Sequence, residues 1–124
     1  MVGIKQHKPL VLIVDDTMMN IDLLADVLRE EYRLGIATNG IKALEFVEKE
    51  KPDLVLLDIV LPNKDGWEIL KEIKAKNKEI KVIILSNLGQ KEEVEKGLKL
   101  GAEKYLIKSN FTPSEVVEEI KKLI

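Results

Sequence analysis

Cysteine is absent from the 124-residue chain, and histidine occurs once, as His7. Without cysteine there is neither a disulfide-stapled scaffold nor a thiolate metal site. A single histidine in the opening stretch leaves no basis for a Ser-His-Asp triad or a His-rich zinc centre. An excess of one charge is also missing: 20 basic residues face 22 acidic ones, a formal net charge of −2. That balance gives no electrostatic case for nucleic acid or for an anionic membrane surface. Long apolar runs are lacking too. The longest, Leu10 to Val14, is far too short to span a bilayer, and the basic opening from Met1 to Lys8 leads into no signal-like apolar region. The expectation is a cytoplasmic protein without a low-complexity tract, linker or internal repeat.

What the chain does have is enough apolar material for one core, 45% of its residues against 34% charged, which argues against disorder. The length fits a single domain, expected over residues 9–124 behind a short tail at 1–8. Short apolar runs alternate with stretches of helical period. Leu10–Val14, Leu54–Leu57 and Val82–Leu85 are unbroken, as expected of parallel strands buried on both faces. Weaker runs at Arg33–Ala37 and Tyr105–Ile107 read as edge strands. Between them, apolar residues recur at helical spacing: Ile21, Leu24, Ala25 and Leu28; Ile41, Leu44 and Val47; Leu70 and Ile73; Val94 and Leu98. Thr112-Pro113-Ser114-Glu115 spells a capping box with proline at N1, and Val116, Val117, Ile120 and Ile124 follow. Five strands alternating with five helices predict an α/β fold, a flavodoxin-like, doubly wound parallel sheet of order 2-1-3-4-5.

In such a sheet, ligands bind beyond the carboxyl ends of the strands, where the order switches. The first strand ends in Asp15-Asp16, the third in Asp58, the fourth in Ser86-Asn87 and the fifth in Lys108. Each has a plain structural use: Asp16 and Ser86 as helix caps, Asp58 as a turn opener, Lys108 as a surface charge. Together they say more. Three carboxylates at two adjacent strand ends repel by about 3 kcal/mol per pair at 5 Å and an effective dielectric of 20, so neutralising Asp16 or Asp58 should stabilise the metal-free chain. Oxygen ligands with room for water suit Mg²⁺ better than zinc. A carboxylate beside Mg²⁺ with a lysine opposite is also equipment for phosphoryl transfer, with Asp58 on the central strand as the best nucleophile.

These residues resemble the receiver domain of two-component response regulators over about Lys8 to Ile124. The resemblance rests on Val14-Asp15-Asp16, on Asp58 followed by Leu61-Pro62-Asn63-Lys64-Asp65-Gly66, on Ser86, and on Tyr105-Leu106-Ile107-Lys108. It implies a phosphoryl group accepted by Asp58 from a sensor histidine kinase or phosphotransfer protein. It further implies Mg²⁺ held by Asp15, Asp16, Asp58 and the Val60 carbonyl, with Ser86 and Lys108 contacting the phosphoryl oxygens. Ser86 and Tyr105 would form the switch, and the surface of the fourth helix, fifth strand and fifth helix would control a downstream protein. Such a chain is a switch that phosphorylates and dephosphorylates itself rather than a turnover enzyme.

Three positions depart from the family pattern. Ser109 stands where proline usually follows the lysine, and since a cis bond before a non-proline residue costs about 2.5–4 kcal/mol, a trans Lys108–Ser109 bond is expected. Asn87 replaces a small residue beside Ser86. Val60 is apolar where many members carry a polar side chain, which bears on the dephosphorylation rate. The alternative is a pseudo-receiver, a protein-binding module that takes no phosphate; the full set of acids, Ser86 and Lys108 argues against it. A phosphatase-like enzyme is disfavoured because Asp15 and Asp16 are adjacent rather than two apart, and no Gly-rich phosphate loop is present.

Overall fold

In the computed structural model, which describes residues 8–62 and 64–124, five parallel strands alternate with five helices in the order expected. The tail expected at 1–8 lies outside the described residues apart from Lys8, and Asn63 lies outside them as well. The strands are β1 (Leu10–Val14), β2 (Arg33–Ala37), β3 (Leu54–Leu57), β4 (Lys81–Ser86) and β5 (Lys104–Ile107). The helices are α1 (Met18–Leu28), α2 (Gly40–Glu50), α3 (Gly66–Lys76), α4 (Lys91–Lys99) and α5 (Pro113–Lys121). The sheet order is β2-β1-β3-β4-β5, with all neighbours parallel.

The period of two in a strand sorts side chains to opposite faces, and the core divides accordingly. Leu12, Val14, Val55, Leu57, Val82 and Ile84 meet α2 and α3 on one face. Val11, Ile13, Leu54, Leu56, Ile83 and Leu85 meet α1 and α5 on the other. β1 and β3 are buried along their whole length and β4 from Val82 onward, which explains their unbroken apolar runs. β2 and β5, on the edges, bury only part of theirs.

Two helical stripes differ from the sequence reading. Ile41 is exposed, and α2 faces the core through Gly40, Ala43 and Val47 instead. Leu98 is exposed as well, and α4 buries a single residue, Gly97. In both helices a small residue on the same turn lets the backbone approach the sheet, and the larger apolar side chain is rotated out. The capping box of α5 forms as expected, with Glu115 N donating to Thr112 Oγ1 and Thr112 N to Glu115 Oε1.

Candidate functional site

Strand register carries the acids to one edge. Val14 pairs with Leu57, so Asp15 and Asp58 leave adjacent strand ends side by side, joined through the Asp58 N–H on the Val14 carbonyl at 3.0 Å. Leu57 pairs with Ile84, which sets Ser86 one step beyond the level of Asp58 on the next strand. Asp15, Asp58 and Ser86 are the buried polar residues among those described, and all three lie at this edge. Asp16 is exposed at its rim.

The plain structural uses do not account for the acids. α1 is preceded by Thr17 with no side-chain cap, so Asp16 caps nothing. Asp15 Oδ1 accepts from Thr17 N at 2.9 Å. α4 is capped by Gln90 and Glu93 rather than by Ser86, whose hydroxyl accepts from Leu88 N at 3.3 Å. Asp58 does form a turn, accepting from Val60 N on Oδ1 at 3.0 Å, but its other oxygen points elsewhere.

That oxygen meets Lys108, which starts a short 3₁₀ turn after β5. Lys108 Nζ lies 2.7 Å from both Asp15 Oδ2 and Asp58 Oδ2. Burial opposes the lysine charge, but hydrogen bonds to Asp15 and Asp58 and their negative field outweigh it and hold its pKa above the ordinary lysine value. The Lys108–Ser109 bond is trans, as expected. One carboxylate oxygen from each of Asp15, Asp16 and Asp58 lies within 4.8 Å of the others. Three hard anionic donors against one ammonium leave a net negative site, which fits a divalent cation with oxygen preference.

The same geometry separates two acids that the sequence treats alike. Asp58 holds a bond to Lys108 and another to Val60 N, whereas among the described residues Asp16 accepts only the Thr17 hydroxyl, at 3.3 Å. Removing the Asp16 charge therefore relieves repulsion without breaking an ion pair. Asp16→Asn is expected to raise the melting temperature in EDTA by a few degrees, about 1 kcal/mol for a partly screened carboxylate pair, and Mg²⁺ should then stabilise it less than wild type. A melt below wild type in EDTA would show that Asp16 supports the fold.

The β3–α3 loop that carries Val60 is held by a close approach at Gly66. A Cβ there would stand 2.2 Å from the Ile59 carbonyl oxygen, a backbone atom that no rotamer change can move. Gly66→Ala is expected to cost about 1–3 kcal/mol in urea unfolding; an unchanged midpoint would show that the loop reshapes freely.

Tyr105, named from the sequence, is half-buried at the end of the site next to β4. Its hydroxyl donates to the Leu88 carbonyl in the β4–α4 loop. Burial raises its pKa, helped by the charges of Glu93 and Asp58 and opposed by the Ser86 hydroxyl, so the phenol keeps its proton for that bond. Leu88 was not foreseen, because a backbone acceptor leaves no mark in a sequence.

A sequence model of the family "Response regulator receiver domain" matches residues 11–121. Among curated relatives, the "Chemotaxis protein CheY" of Halobacterium salinarum is 39% identical over 105 residues, covering 84% of this chain and 88% of that one. The "Sporulation initiation phosphotransferase F" of Bacillus subtilis is 40% identical over 115 residues, covering 92% of each. A crystal structure titled as a CheY-like response regulator receiver domain protein from Methanospirillum hungatei superposes with a TM-score of 0.87 at 30% identity, over 93% of this chain and 92% of that one. With this fold and this acidic edge, the chain belongs to the response regulator receiver family, whose members are phosphorylation-controlled signalling switches rather than turnover enzymes.

Proposed function

We propose that Asp58 is the residue that takes the phosphoryl group, from the phosphohistidine of a sensor kinase or phosphotransfer protein. The observation that carries this reading is the Lys108 ammonium, seated at 2.7 Å between Asp58 and Asp15 where a phosphoryl oxygen would be neutralised. Asp58 stands at the central strand, so of the three acids it alone has the metal-binding pair on one side and β4 with Ser86 on the other.

In the transfer, an Asp58 carboxylate oxygen forms the new bond to phosphorus as the N–P bond of phosphohistidine breaks. The electron pair stays on the imidazole nitrogen, which is then protonated from solvent. Lys108 turns its ammonium from the carboxylates to one phosphoryl oxygen, and the Ser86 hydroxyl donates to another. Asp15, Asp16, Asp58 and the Val60 carbonyl would hold Mg²⁺, which when bound supplies the positive charge that an anionic donor meets on approaching three carboxylates. The exposed α1 side chains Met18, Met19 and Leu23 and the exposed Val60 give the donor protein an apolar rim around the pocket. Tyr105, with α4, β5 and α5, would present the state of Asp58 to a downstream protein in the cytoplasm. Against the pseudo-receiver alternative stand the three clustered acids and the lysine bonded to two of them.

The test is intact mass after incubation with a small phosphodonor such as acetyl phosphate. One phosphoryl group is expected with Mg²⁺ and none in EDTA. An unmodified mass in both would favour the pseudo-receiver.

A further inference from the structure

The attachment of α4 to the sheet is unusual in its means. The helix is mostly charged, and the one residue it buries is a glycine, in its last turn. A Cβ at Gly97 would stand 2.5 Å from Ile84 Cδ1 and 2.9 Å from Tyr105 Cδ2. The loop leading into α4 approaches β5 in the same way, since a Cβ at Gly89 would stand 2.8 Å from Ile107 Cδ1. The residue before Gly89, Leu88, supplies the carbonyl that accepts the Tyr105 hydroxyl. On its other side, α4 is tied to α3 by Lys96, whose Nζ sits 4.7 Å over the ring of Trp67.

We propose that Gly97 is a positioning residue for the switch: the space left by its missing Cβ seats the Tyr105 ring and holds its hydroxyl on the Leu88 carbonyl before any phosphoryl group reaches Asp58. The inference rests on Tyr105 being the switch aromatic. Of the two side chains a Cβ would meet, Ile84 is wholly buried among close-packed neighbours, whereas Tyr105 is half-buried on an edge strand with solvent beside it. The Ile84 methyl, the nearer of the two, must shift within the core, while the tyrosine alone has solvent to move into and is displaced from its seat. With Gly97 in place, phosphorylation acts on a population already turned inward, and it firms the α4–β5 surface rather than creating it.

Fluorine NMR of fluorotyrosine-labelled protein tests this, with Tyr32→Phe assigning the two signals. Unphosphorylated wild type is expected to show a single Tyr105 signal that moves little on adding Mg²⁺ and beryllofluoride. In Gly97→Ala the signal should move toward that of free fluorotyrosine, with the ratio of inward to outward ring falling about tenfold or more for an overlap of this size. Beryllofluoride should draw it back. The double variant Ile84→Val with Gly97→Ala relieves the core overlap, keeps the fold if Gly97→Ala alone does not, and should show the same displaced ring. A wild-type signal already at the free position overturns the proposal. So does a Gly97→Ala protein that melts lower with Tyr105 unmoved, or one in which Trp67 emission shifts while the ring stays. Failure of Asp58 as acceptor would appear in intact mass and leave the phosphate-free comparison untouched, so the two readings fail separately.

Discussion

Replacing Lys108 by methionine is expected to destabilise the metal-free protein by about 3 kcal/mol, the low end for breaking a buried ion pair from one side. The lysine is the one cation hydrogen-bonded to Asp15 and Asp58 among the described residues, and both acids are buried. Methionine keeps the volume of the stem but leaves two carboxylates facing each other without a counter-charge. Mg²⁺ at about 100 times its dissociation constant adds roughly 2.7 kcal/mol to a folded state that alone binds it. It should therefore recover most of the loss in the variant. The pH dependence has a definite sign. The folded pKa of Lys108 lies above the ordinary lysine value, so its contribution is complete below about pH 10.4 and disappears as pH rises through the raised folded value. Between pH 6 and pH 9, roughly, the lysine contributes no slope of its own. Urea melts of wild type and Lys108→Met, with EDTA and with Mg²⁺, measure all of this; equal midpoints in EDTA would mean that the acids need no lysine.

Asp58→Asn is expected to abolish phosphoryl uptake altogether. An amide oxygen is a far weaker nucleophile than a carboxylate, and no neighbouring group stands in its place: Asp15 leaves β1, one strand further from β4 and Ser86, and Asp16 sits at the rim. Stability should change much less than uptake, because the Asp15–Lys108 pair persists in the variant. Wild type and Asp58→Asn, incubated side by side with acetyl phosphate and Mg²⁺ and read by intact mass, should give one phosphoryl and none. Equal labelling of the two would move the acceptor to another residue.

The strands were legible because burial on both faces demands unbroken apolar runs, and the site because an open parallel sheet sends every strand end to one edge. Asp15, Asp58, Ser86 and Lys108 could thus be brought together without coordinates. Contacts that depend on the depth of a helix were not legible. Ile41 and Leu98 fall on helical stripes in the sequence, yet Ala43 and Gly97 occupy the buried face, since spacing marks a stripe but not how closely its backbone approaches the sheet. Charged residues with inward roles were equally hidden. Lys74 donates to the Ile80 carbonyl and to Glu103, whose carboxylate accepts from Val82 N at 2.7 Å where β4 begins; in a chain rich in lysine and glutamate such a pair looks like any surface pair. β5 starts one residue earlier than its apolar run because Lys104 extends the ladder and pairs its ammonium with Glu119.

Borohydride trapping reads directly whether the phosphoryl group resides on Asp58. An aspartyl phosphate is an acyl phosphate, which borohydride reduces to homoserine with release of phosphate, while unmodified carboxylates are left intact. Phosphorylated protein, reduced and digested, is expected to carry homoserine at position 58 in the peptide mass spectrum, with Asp15 and Asp16 unchanged. Homoserine at position 15 or 16, or none at all in protein whose intact mass shows one phosphoryl group, would contradict the account.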